Sequence, residues 1–387
     1  MNQNELQLAV AEAGMPRRTF LRNSLLMAAP LVVGGSLLPV GQAHAYVPPS
    51  RARGSTRLSV RNYGARGDGR TNDTAAIQRA INALPSTGGT VYIPAGTYMI
   101  DAVKSVRLRS RMHLELSPDA KLVVIANSAL KAYAVLADKV SDVEISGGQI
   151  IGDRYRHLRS DGEWGHAIFV RGCKRVTVRD IRVADCFGDG ISIGAAPVWQ
   201  APAIYSEDVV VANVVSTNNR RQALTIGRAR YVQVHDSTFA NSNGAKPETG
   251  IDIEPDEGGV AYKITIQNCV VRGNKTYGIL AYKGSQYVTV RGCTIERNGS
   301  CGMVTVGAKA TVIGSNTIRY NQATGLFIQD GTVNCSVSGN TFYDNYLRLG
   351  DVDRTAFSMS GWSSKIERDI LRRGTISDIR IGTNYYR

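Results

Sequence analysis

Short runs in which hydrophobic and polar residues alternate recur along this chain from about residue 165. Each repeat begins with a small residue followed by a large aliphatic one, and successive repeats begin 23 to 33 residues apart, by subtraction of their positions. Alternating runs rich in Val, Ile and Thr are typical of half-buried strands, and a fixed period of this length indicates a solenoid. The repeats begin at Ala167, Gly190, Ala223, Gly250, Gly278, Gly302 and Gly325.

Each repeat holds three strand-length runs and leaves no room for a helix, so the pattern predicts an all-β parallel β-helix. Aligning the first runs separates inward from outward side chains, because neighbouring residues of a strand point to opposite faces. The inward column is predicted to hold Ile168, Ile191, Leu224, Ile251, Ile279, Met303 and Leu326. The adjacent outward column holds Phe169, Ser192, Thr225, Asp252, Leu280, Val304 and Phe327.

One turn of the repeat carries asparagine in most copies. Asn tolerates left-handed backbone, and its amide can hydrogen-bond to the copies above and below. We therefore expect an asparagine ladder with a structural role. Its members are Asn219, Asn274, Asn298, Asn321 and Asn345.

The first 45 residues have the features of an export signal. Arg17 and Arg18 precede an apolar run and the small-residue site Ala43-His44-Ala45. Twin arginines before such a run are typical of Tat signals, and the run is too short to remain as a permanent membrane anchor. We expect the Tat translocase as a partner, removal of residues 1–45, and a periplasmic or secreted bacterial protein.

The chain is basic, with a formal net charge of +14 at pH 7. No run of Lys and Arg interleaved with aromatic residues occurs, so nucleic acid is not an expected partner. An exported basic protein fits an acidic polymer instead. The expected partner is therefore a polysaccharide or oligosaccharide, and an acidic one.

The segment before the repeats holds three distinctive words, which read NYGARGDG from Asn62, NDTAAIQRAI from Asn72 and GGTVYIPAGTY from Gly88. They resemble the N-terminus of the pectin-lyase-like right-handed β-helix superfamily, which includes pectate lyases, polygalacturonases and alginate epimerases. The resemblance implies a right-handed β-helix over residues 58–346 and a carbohydrate-active protein, but it does not specify the reaction.

Both ends of the β-helix are predicted to differ from the repeats. Asp73 and Thr74 are expected to begin a short helix that caps the open end of the solenoid. Residues 46–57 are expected to form a flexible leader. Residues 347–387 break the repeat and are expected to form an irregular C-terminal cap or tail, with a short helix near residues 363–373.

One coil is unusually acidic, because it places Asp252 and Glu254 on the outer face. Residues two apart in a strand are separated by roughly 6.6 Å, which is near the low end expected for the two carboxyl groups of an inverting glycosidase. Asp189 precedes the strand two coils earlier, at roughly 10 Å from Asp252. We predict that these three carboxylates are catalytic, with Arg221 and Lys283 as further catalytic candidates.

Residues on the same face and on the longer coils are predicted to bind the substrate. Trp164 is expected to stack on a pyranose ring, and the long coils to form the walls of a binding groove. The predicted substrate-binding residues are Trp164, His166, Trp199, Arg220, Gln222, Lys246 and Tyr282.

Three functions stay open at this point. The favoured one is glycoside hydrolysis by carboxylate acid–base catalysis, which requires no cofactor. The second is a lyase or epimerase reaction, in which Asp252, Glu254 and Asp256 hold Ca²⁺ and Arg221, Lys283 or Tyr282 transfers the proton. The third is a non-catalytic glycan-binding surface protein. The catalytic motifs of the resembling families do not transfer whole.

Overall fold

The computed structural model describes residues 46–198, 202–256, 258–346 and 369–387. They form a parallel β-helix in which three parallel sheets, A, B and C, run along the solenoid. Sheets A and B have twelve strands each and sheet C has ten, because most coils contribute one strand to each sheet, and the all-β prediction is confirmed. The predicted signal peptide, residues 1–45, and Trp199 lie outside the described residues. No helix in the described part of the chain is long and apolar enough to cross a membrane.

Strands are numbered β1–β34 in chain order. Sheet A consists of β1 (Thr56–Ser59), β3 (Gly89–Ile93), β6 (Met112–Leu116), β9 (Ser141–Ser146), β12 (Lys174–Arg179), β15 (Ser206–Ala212), β18 (Ala229–His235), β21 (Ala261–Gln267), β24 (Ser285–Arg291), β27 (Lys309–Gly314), β30 (Val333–Ser338) and β33 (Ser377–Ile381). Sheet B consists of β2 (Asp68–Asn72), β4 (Gly96–Ile100), β7 (Ala120–Val124), β10 (Gln149–Ile151), β13 (Arg182–Ala184), β16 (Val215–Thr217), β19 (Thr238–Ala240), β22 (Val270–Arg272), β25 (Thr294–Glu296), β28 (Thr317–Arg319), β31 (Thr341–Tyr343) and β34 (Tyr385–Tyr386). Sheet C consists of β5 (Val106–Arg107), β8 (Lys131–Asp138), β11 (Trp164–Arg171), β14 (Ile191–Gly194), β17 (Leu224–Ile226), β20 (Ile251–Ile253), β23 (Ile279–Ala281), β26 (Met303–Val306), β29 (Leu326–Gln329) and β32 (Ile370–Arg372).

The inward column of sheet C is stacked as the repeat predicts. Ile168 pairs with Ile191, which pairs with Leu224, and the register continues without a shift to Leu326. All of these side chains are buried in one continuous hydrophobic core. The period of the sequence therefore fixes the register, because a slip by one residue would turn the apolar column outward.

The asparagine ladder lies at a turn of the coils and is hydrogen-bonded along the solenoid axis. Asn274, Asn298 and Asn321 each donate from Nδ2 to Oδ1 of the asparagine in the next coil, at 2.9 Å in every case. Asn345 donates to Asp369 Oδ1 at 2.8 Å and so closes the ladder. These bonds satisfy buried amides and confirm the structural role of the column.

The predicted helix covers the N-terminal end of the solenoid. We call it α1, Thr74–Asn82, and it follows a 3₁₀ turn at Val60–Tyr63. Ile77 and Ile81 pack into the core from its buried face. Asp73 does not cap the helix with its side chain; its carboxylate accepts hydrogen bonds from the backbone N–H groups of Arg66 and Gly67 instead.

Residues 46–57 do not form the flexible leader that we expected. Residues 46–55, here called the strap, lie across the outer face of sheet A, and β1 begins at Thr56. Arg51 is only 8% exposed; it donates to Thr177 Oγ1 at 2.8 Å and pairs with Asp208 at 2.8 Å. Arg53 pairs with the buried Glu144 at 2.6 Å. The arginines anchor the segment because their partners lie on strands of three different coils.

The described part of the C-terminal segment continues the solenoid. Strands β32, β33 and β34 pair in parallel with β29, β30 and β31 and so add one further coil. The prediction of an irregular end is therefore wrong for residues 369–387, and Ile370–Arg372 form a strand where a helix was expected. Residues 347–368 lie outside the described residues. Because they separate β31 from β32 in the sequence, the spacing of the repeat is interrupted at this point.

Candidate active site

Polar residues gather in the middle of the outer face of sheet C. Ser192, Thr225 and Asp252 are direct neighbours on β14, β17 and β20. On one side the same outward row continues to the buried Phe169. On the other side it enters an apolar cluster of outward residues, Leu280, Cys301, Val304 and Phe327. The candidate site is therefore confined to the few coils between two apolar surfaces.

Asp252 and Glu254 form an interacting carboxyl pair at this position. Asp252 is fully buried, at 0% exposure, whereas Glu254 is half-buried. Burial raises the pKa of Asp252 well above its usual range, and the neighbouring Glu254 carboxyl adds to the effect. Burial also raises the pKa of Glu254, although the Arg221 cation opposes the rise. The pair therefore retains a proton at pH values where an exposed carboxyl has lost it.

This pairing differs from the separated acid and base that the strand spacing suggested. The two carboxyl groups lie on the same face of the coil, and each one shifts the pKa of the other. Gln222 Nε2 donates a hydrogen bond to Asp252 Oδ2. Within the described residues, Asp252 Oδ1 has no hydrogen-bond partner of its own. A carboxylate that is separated from this pair has to come from another coil.

Asp189 lies two coils before Asp252, as predicted, and it is connected to Asp252 by hydrogen bonds. Arg221 Nη1 donates to both carboxylate oxygens of Asp189, at 3.2 and 3.3 Å. Thr225 Oγ1 lies 2.9 Å from Asp189 Oδ2 and 2.5 Å from Gln222 Oε1. Since Gln222 in turn donates to Asp252, the chain of contacts joins Asp189, Thr225, Gln222 and Asp252 across neighbouring coils.

Arg221 is a fixed cation and does not act as a proton acceptor. Burial opposes its charge, but the carboxylates of Asp189 and Asp252 outweigh that effect and raise its pKa. Its Nε also lies 3.2 Å from a carboxylate oxygen of Glu163, whose side chain is 54% exposed. Arg221 is therefore held in a fixed position, from which its guanidinium can donate hydrogen bonds to an anionic group of a ligand at the edge of the site.

Sequence reasoning missed Glu163 and the bridging role of Thr225. Thr225 lies in the outward column, between Ser192 and Asp252, so the sequence pattern predicted its position. The pattern did not indicate that its hydroxyl contacts both Asp189 and Gln222. Glu163 precedes β11 outside the alternating pattern, and only the folded coil brings it to Arg221.

His166 is a neutral, buried side chain that positions the turn containing Asp189. Its Nδ1 accepts a hydrogen bond from the backbone N–H of Asp189 at 3.0 Å. Burial lowers the pKa of His166 to about 4, although Asp189 opposes the shift. The rings of Tyr133 and Trp164 both lie 5.5 Å from the imidazole, between centroids. His166 is thus enclosed, and Trp164 with Tyr133 forms an aromatic end of the polar stretch.

The structure separates the remaining predicted residues from this network. Arg220 donates to the backbone carbonyls of Ser160 and Gly162, each at 2.7 Å, and so holds a loop in place. Tyr282 follows β23, and its N–H bonds to the carbonyl of Ile253, beside the coil of Glu254. Lys283 is exposed, with Nζ 5.8 Å from the Tyr282 ring. Lys246 is exposed in the loop between β19 and β20.

The carboxylates of the predicted calcium set do not form a metal-binding group. Across the described ranges, no three His, Cys, Asp or Glu side chains are arranged to hold an ion. Asp252 contacts Gln222 on the outer face of sheet C, whereas Asp256 lies four residues on, in a turn with a positive φ of 61°. Asp252, Glu254 and Asp256 therefore do not converge on one point.

Two family models match this chain. Residues 57–139 match the model described as rhamnogalacturonase A/epimerase, pectate lyase-like. Residues 246–369 match the model of the right-handed β-helix region. Both matches agree with the observed coils.

Among curated proteins, the chain is similar to an uncharacterized protein, YclG, of Bacillus subtilis. The two are 29% identical over 322 residues, which is 73% of this chain and 54% of that protein. It is also similar to the plasmin and fibronectin-binding protein A of Streptococcus pneumoniae, at 27% identity over 61% of this chain and 34% of that protein. The chain thus spans about half or less of the length of these relatives.

Among solved structures, the A-module of the mannuronan C-5 epimerase AlgE6 of Azotobacter vinelandii has the same fold. The TM-score is 0.63 at 19% identity, and the match covers 85% of this chain and 99% of the module.

Proposed function

Because the chain belongs to the pectin-lyase-like right-handed β-helix superfamily, we propose that it is an exported enzyme that cleaves glycosidic bonds of an acidic polysaccharide. The observation that carries the proposal is the Asp252–Glu254 pair. The raised pKa of both groups lets the pair keep a proton at pH values where an exposed carboxyl has lost it. That proton resides mainly on the fully buried Asp252 and passes to Glu254, the partly exposed member, which donates it to the substrate.

In the hydrolytic reaction, Glu254 protonates the leaving glycosidic oxygen as the bond to the anomeric carbon breaks. Water attacks that carbon and loses its proton to a second carboxylate, which is Glu163 or Asp189 on the other side of Arg221. Arg221 donates hydrogen bonds to an acidic group of the sugar from the edge of the site, where two carboxylates hold its guanidinium in place. This scheme requires no cofactor.

The second candidate is β-elimination or epimerization of a uronate. It is favoured by Arg221, a fixed cation that can donate to the sugar carboxylate while the neighbouring carbon loses its proton to Glu163 or Asp189. In this scheme Glu254 protonates the leaving oxygen in a lyase, or the same carbon from the opposite face in an epimerase. The presence of calcium is varied in the test, because a polyuronate substrate can itself bind the ion.

The third candidate is a glycan-binding surface protein without activity. It is favoured by the similarity to the pneumococcal binding protein, whose name describes binding to plasmin and fibronectin. That relative is about three times the length of the matched region, so its binding properties carry over only as a hypothesis.

The test is to incubate the protein with polygalacturonate, alginate and rhamnogalacturonan, with and without a calcium chelator. New reducing ends without ultraviolet absorbance of an unsaturated uronate identify hydrolysis, and that absorbance identifies a lyase. A change in uronate configuration without cleavage identifies an epimerase. The absence of all three on every polymer supports binding alone.

We expect Glu254→Gln to lower kcat by about 10²- to 10⁴-fold, the usual contribution of a general acid. Glu163→Gln and Asp189→Asn should identify the second carboxylate, since only one of them should match that loss. Asp161→Asn is the matched control, because Asp161 is an exposed carboxylate two residues from Glu163 that pairs with Arg159 at 2.7 Å. Full activity of Glu254→Gln would show that the Asp252–Glu254 pair is not the catalytic site.

A further inference from the structure

Three tyrosines and a lysine form an exposed row near the start of the sheet A strands. Tyr231 and Tyr287 are 43% and 53% exposed, and the half-buried Tyr262 lies between them. The ring centroids are 6.0 Å apart for Tyr231 and Tyr262, and 5.2 Å apart for Tyr262 and Tyr287. Lys263 Nζ lies 5.5 Å from the centroids of both Tyr231 and Tyr262. We call these four residues the tyrosine ladder.

The ladder occupies backbone positions that disfavour its residues. Tyr231, Lys263 and Tyr287 have φ values of 55°, 56° and 55°, in the left-handed region that bulky side chains rarely adopt. The same turn in other coils carries residues that tolerate this conformation. They are Asp142, Asp208, Asn334 and Asp378, whereas three further coils carry Arg111, Arg175 and Ala310 at this position. The exposed aromatic rings add little buried area in return, so stability alone does not account for them.

Two cations lie at the tyrosine ladder, Lys263 within it and Arg230 beside it. Lys263 and the adjacent Arg230 make no ion pair within the described ranges; their contacts are with tyrosine rings. A second tyrosine pair, Tyr320 with Tyr343, provides a contrast inside the same molecule. Its cations, Arg297 and Arg319, both pair with Glu296, at 2.8 and 2.7 Å, so that one of their two charges is balanced. The tyrosine ladder therefore offers an anion more positive charge without an ion-pair partner than the second pair does.

We propose that the tyrosine ladder is a binding surface for an acidic polysaccharide. The ladder has one tyrosine in each of three successive coils, and successive coils are about 4.8 Å apart. This spacing is comparable to the length of one residue in an extended sugar chain. The tyrosine faces suit the apolar faces of pyranose rings, and Lys263 and Arg230 suit their carboxylates. A repeating, linear pattern fits a polymer better than it fits a protein surface, which lacks such a period.

The ladder and the candidate active site belong to the same coils. Tyr262 and Lys263 lie on β21, the strand of sheet A that follows β20 and Asp252 along the chain. A polymer bound at the ladder is thus held to the coils that contain the carboxyl pair. The inference extends the proposed function, since binding here requires no chemistry at Glu254.

The experiment measures binding of the full chain to polygalacturonate and to alginate by affinity electrophoresis over a range of salt concentrations, with dextran as the neutral polymer. Glu254→Gln serves as the background, so that the polymer stays intact. We expect Tyr231→Asn with Tyr287→Asn to weaken binding by about tenfold or more. We expect Lys263→Asn to weaken binding and to flatten its salt dependence.

These variants are designed to fold, because Asn is the residue that the same turn carries at position 334. Their Tm should equal or exceed that of the parent. Tyr320→Asn is the matched control, since Tyr320 has a φ of 54° and belongs to the pair whose arginines contact Glu296, and the binding of this variant should be unchanged. Parental binding by both ladder variants, or equal binding of dextran, would overturn the proposal; in the first case a protein partner becomes the alternative.

Failure of this inference is distinguishable from failure of the proposed function. With Glu254 restored, the ladder variants should cleave a short acidic oligosaccharide at the parental rate and lose efficiency only on the polymer. Loss of turnover on the short substrate would place the ladder in the active site and so contradict a separate surface.

Discussion

Asp252 is a carboxyl group that points out of sheet C and is nevertheless enclosed by protein. Its neighbours on the sheet are Thr225 and Leu280, and the polar contact that reaches it comes from Gln222. Burial raises the pKa of Asp252, because a buried carboxylate lacks the water that stabilises its charge. The same reasoning applies to His166, which burial keeps neutral at pH 7.

At the scale of this single residue, we predict that Asp252→Asn stabilises the folded protein at neutral pH. The folded state holds the carboxyl proton to higher pH than the unfolded chain, in which Asp has a pKa of about 3.9. Above that value the folded state binds more protons, so stability falls as pH rises. Asn removes this loss, and the free energy of unfolding should increase by on the order of 1 kcal/mol at pH 7.

Urea denaturation at pH 7 and near pH 4 measures the effect, and the gain should shrink toward pH 4. Asp161→Asn, at an exposed position, should change stability by less than about 0.5 kcal/mol at either pH. A stability loss for Asp252→Asn at pH 7 would mean that the carboxylate is ionised in the folded protein.

The strap is an element without regular structure that joins separate coils. Arg51 reaches β12 and Asp208 of β15, and Arg53 reaches β9. At its first described residue, the Tyr46 ring stacks on His235 of β18, with centroids 3.7 Å apart. A segment that crosses four strands of sheet A ties coils that otherwise contact only their neighbours.

At the scale of this element we predict that Arg51→Ala lowers the free energy of unfolding by about 2 kcal/mol. The value is that of a hydrogen-bonded buried charge, reduced because Asp208 is partly exposed to solvent. Chemical denaturation measures it. Arg57→Ala is the control, since Arg57 and Glu115 form an exposed pair that should contribute less than about 1 kcal/mol. Equal effects of the two substitutions would contradict an anchoring role for the strap.

The whole solenoid depends on covering its two open ends. At the N-terminal end α1 packs its buried face on the first coils. At the other end, residues 369–387 place β32, β33 and β34 on the preceding coil. Each uncovered coil would expose the unpaired backbone groups of three parallel strands, which are templates for association with another chain.

At the scale of the molecule we predict that a chain truncated after residue 368 associates and unfolds more easily. The edges of β29, β30 and β31 lose their partners, so size-exclusion chromatography with light scattering should show oligomers, and the Tm should fall by several degrees. Tyr385→Ser, which changes an exposed side chain of the same coil, should leave both unchanged. A monomeric truncated chain with the parental Tm would show that the last coil is dispensable.

The sequence by itself determined the coil period, the inward column from Ile168 to Leu326, the asparagine ladder, the end helix and the coil that carries Asp252. These features follow from local alternation, because each residue's face is set by its position within a short strand. Only the tertiary structure decided the coupling of Asp252 to Glu254, the Arg221–Glu163 pair, the strap and the tyrosine ladder. Those features depend on burial and on contacts between residues in different coils, and a one-dimensional pattern records which face a side chain takes but not what encloses it there.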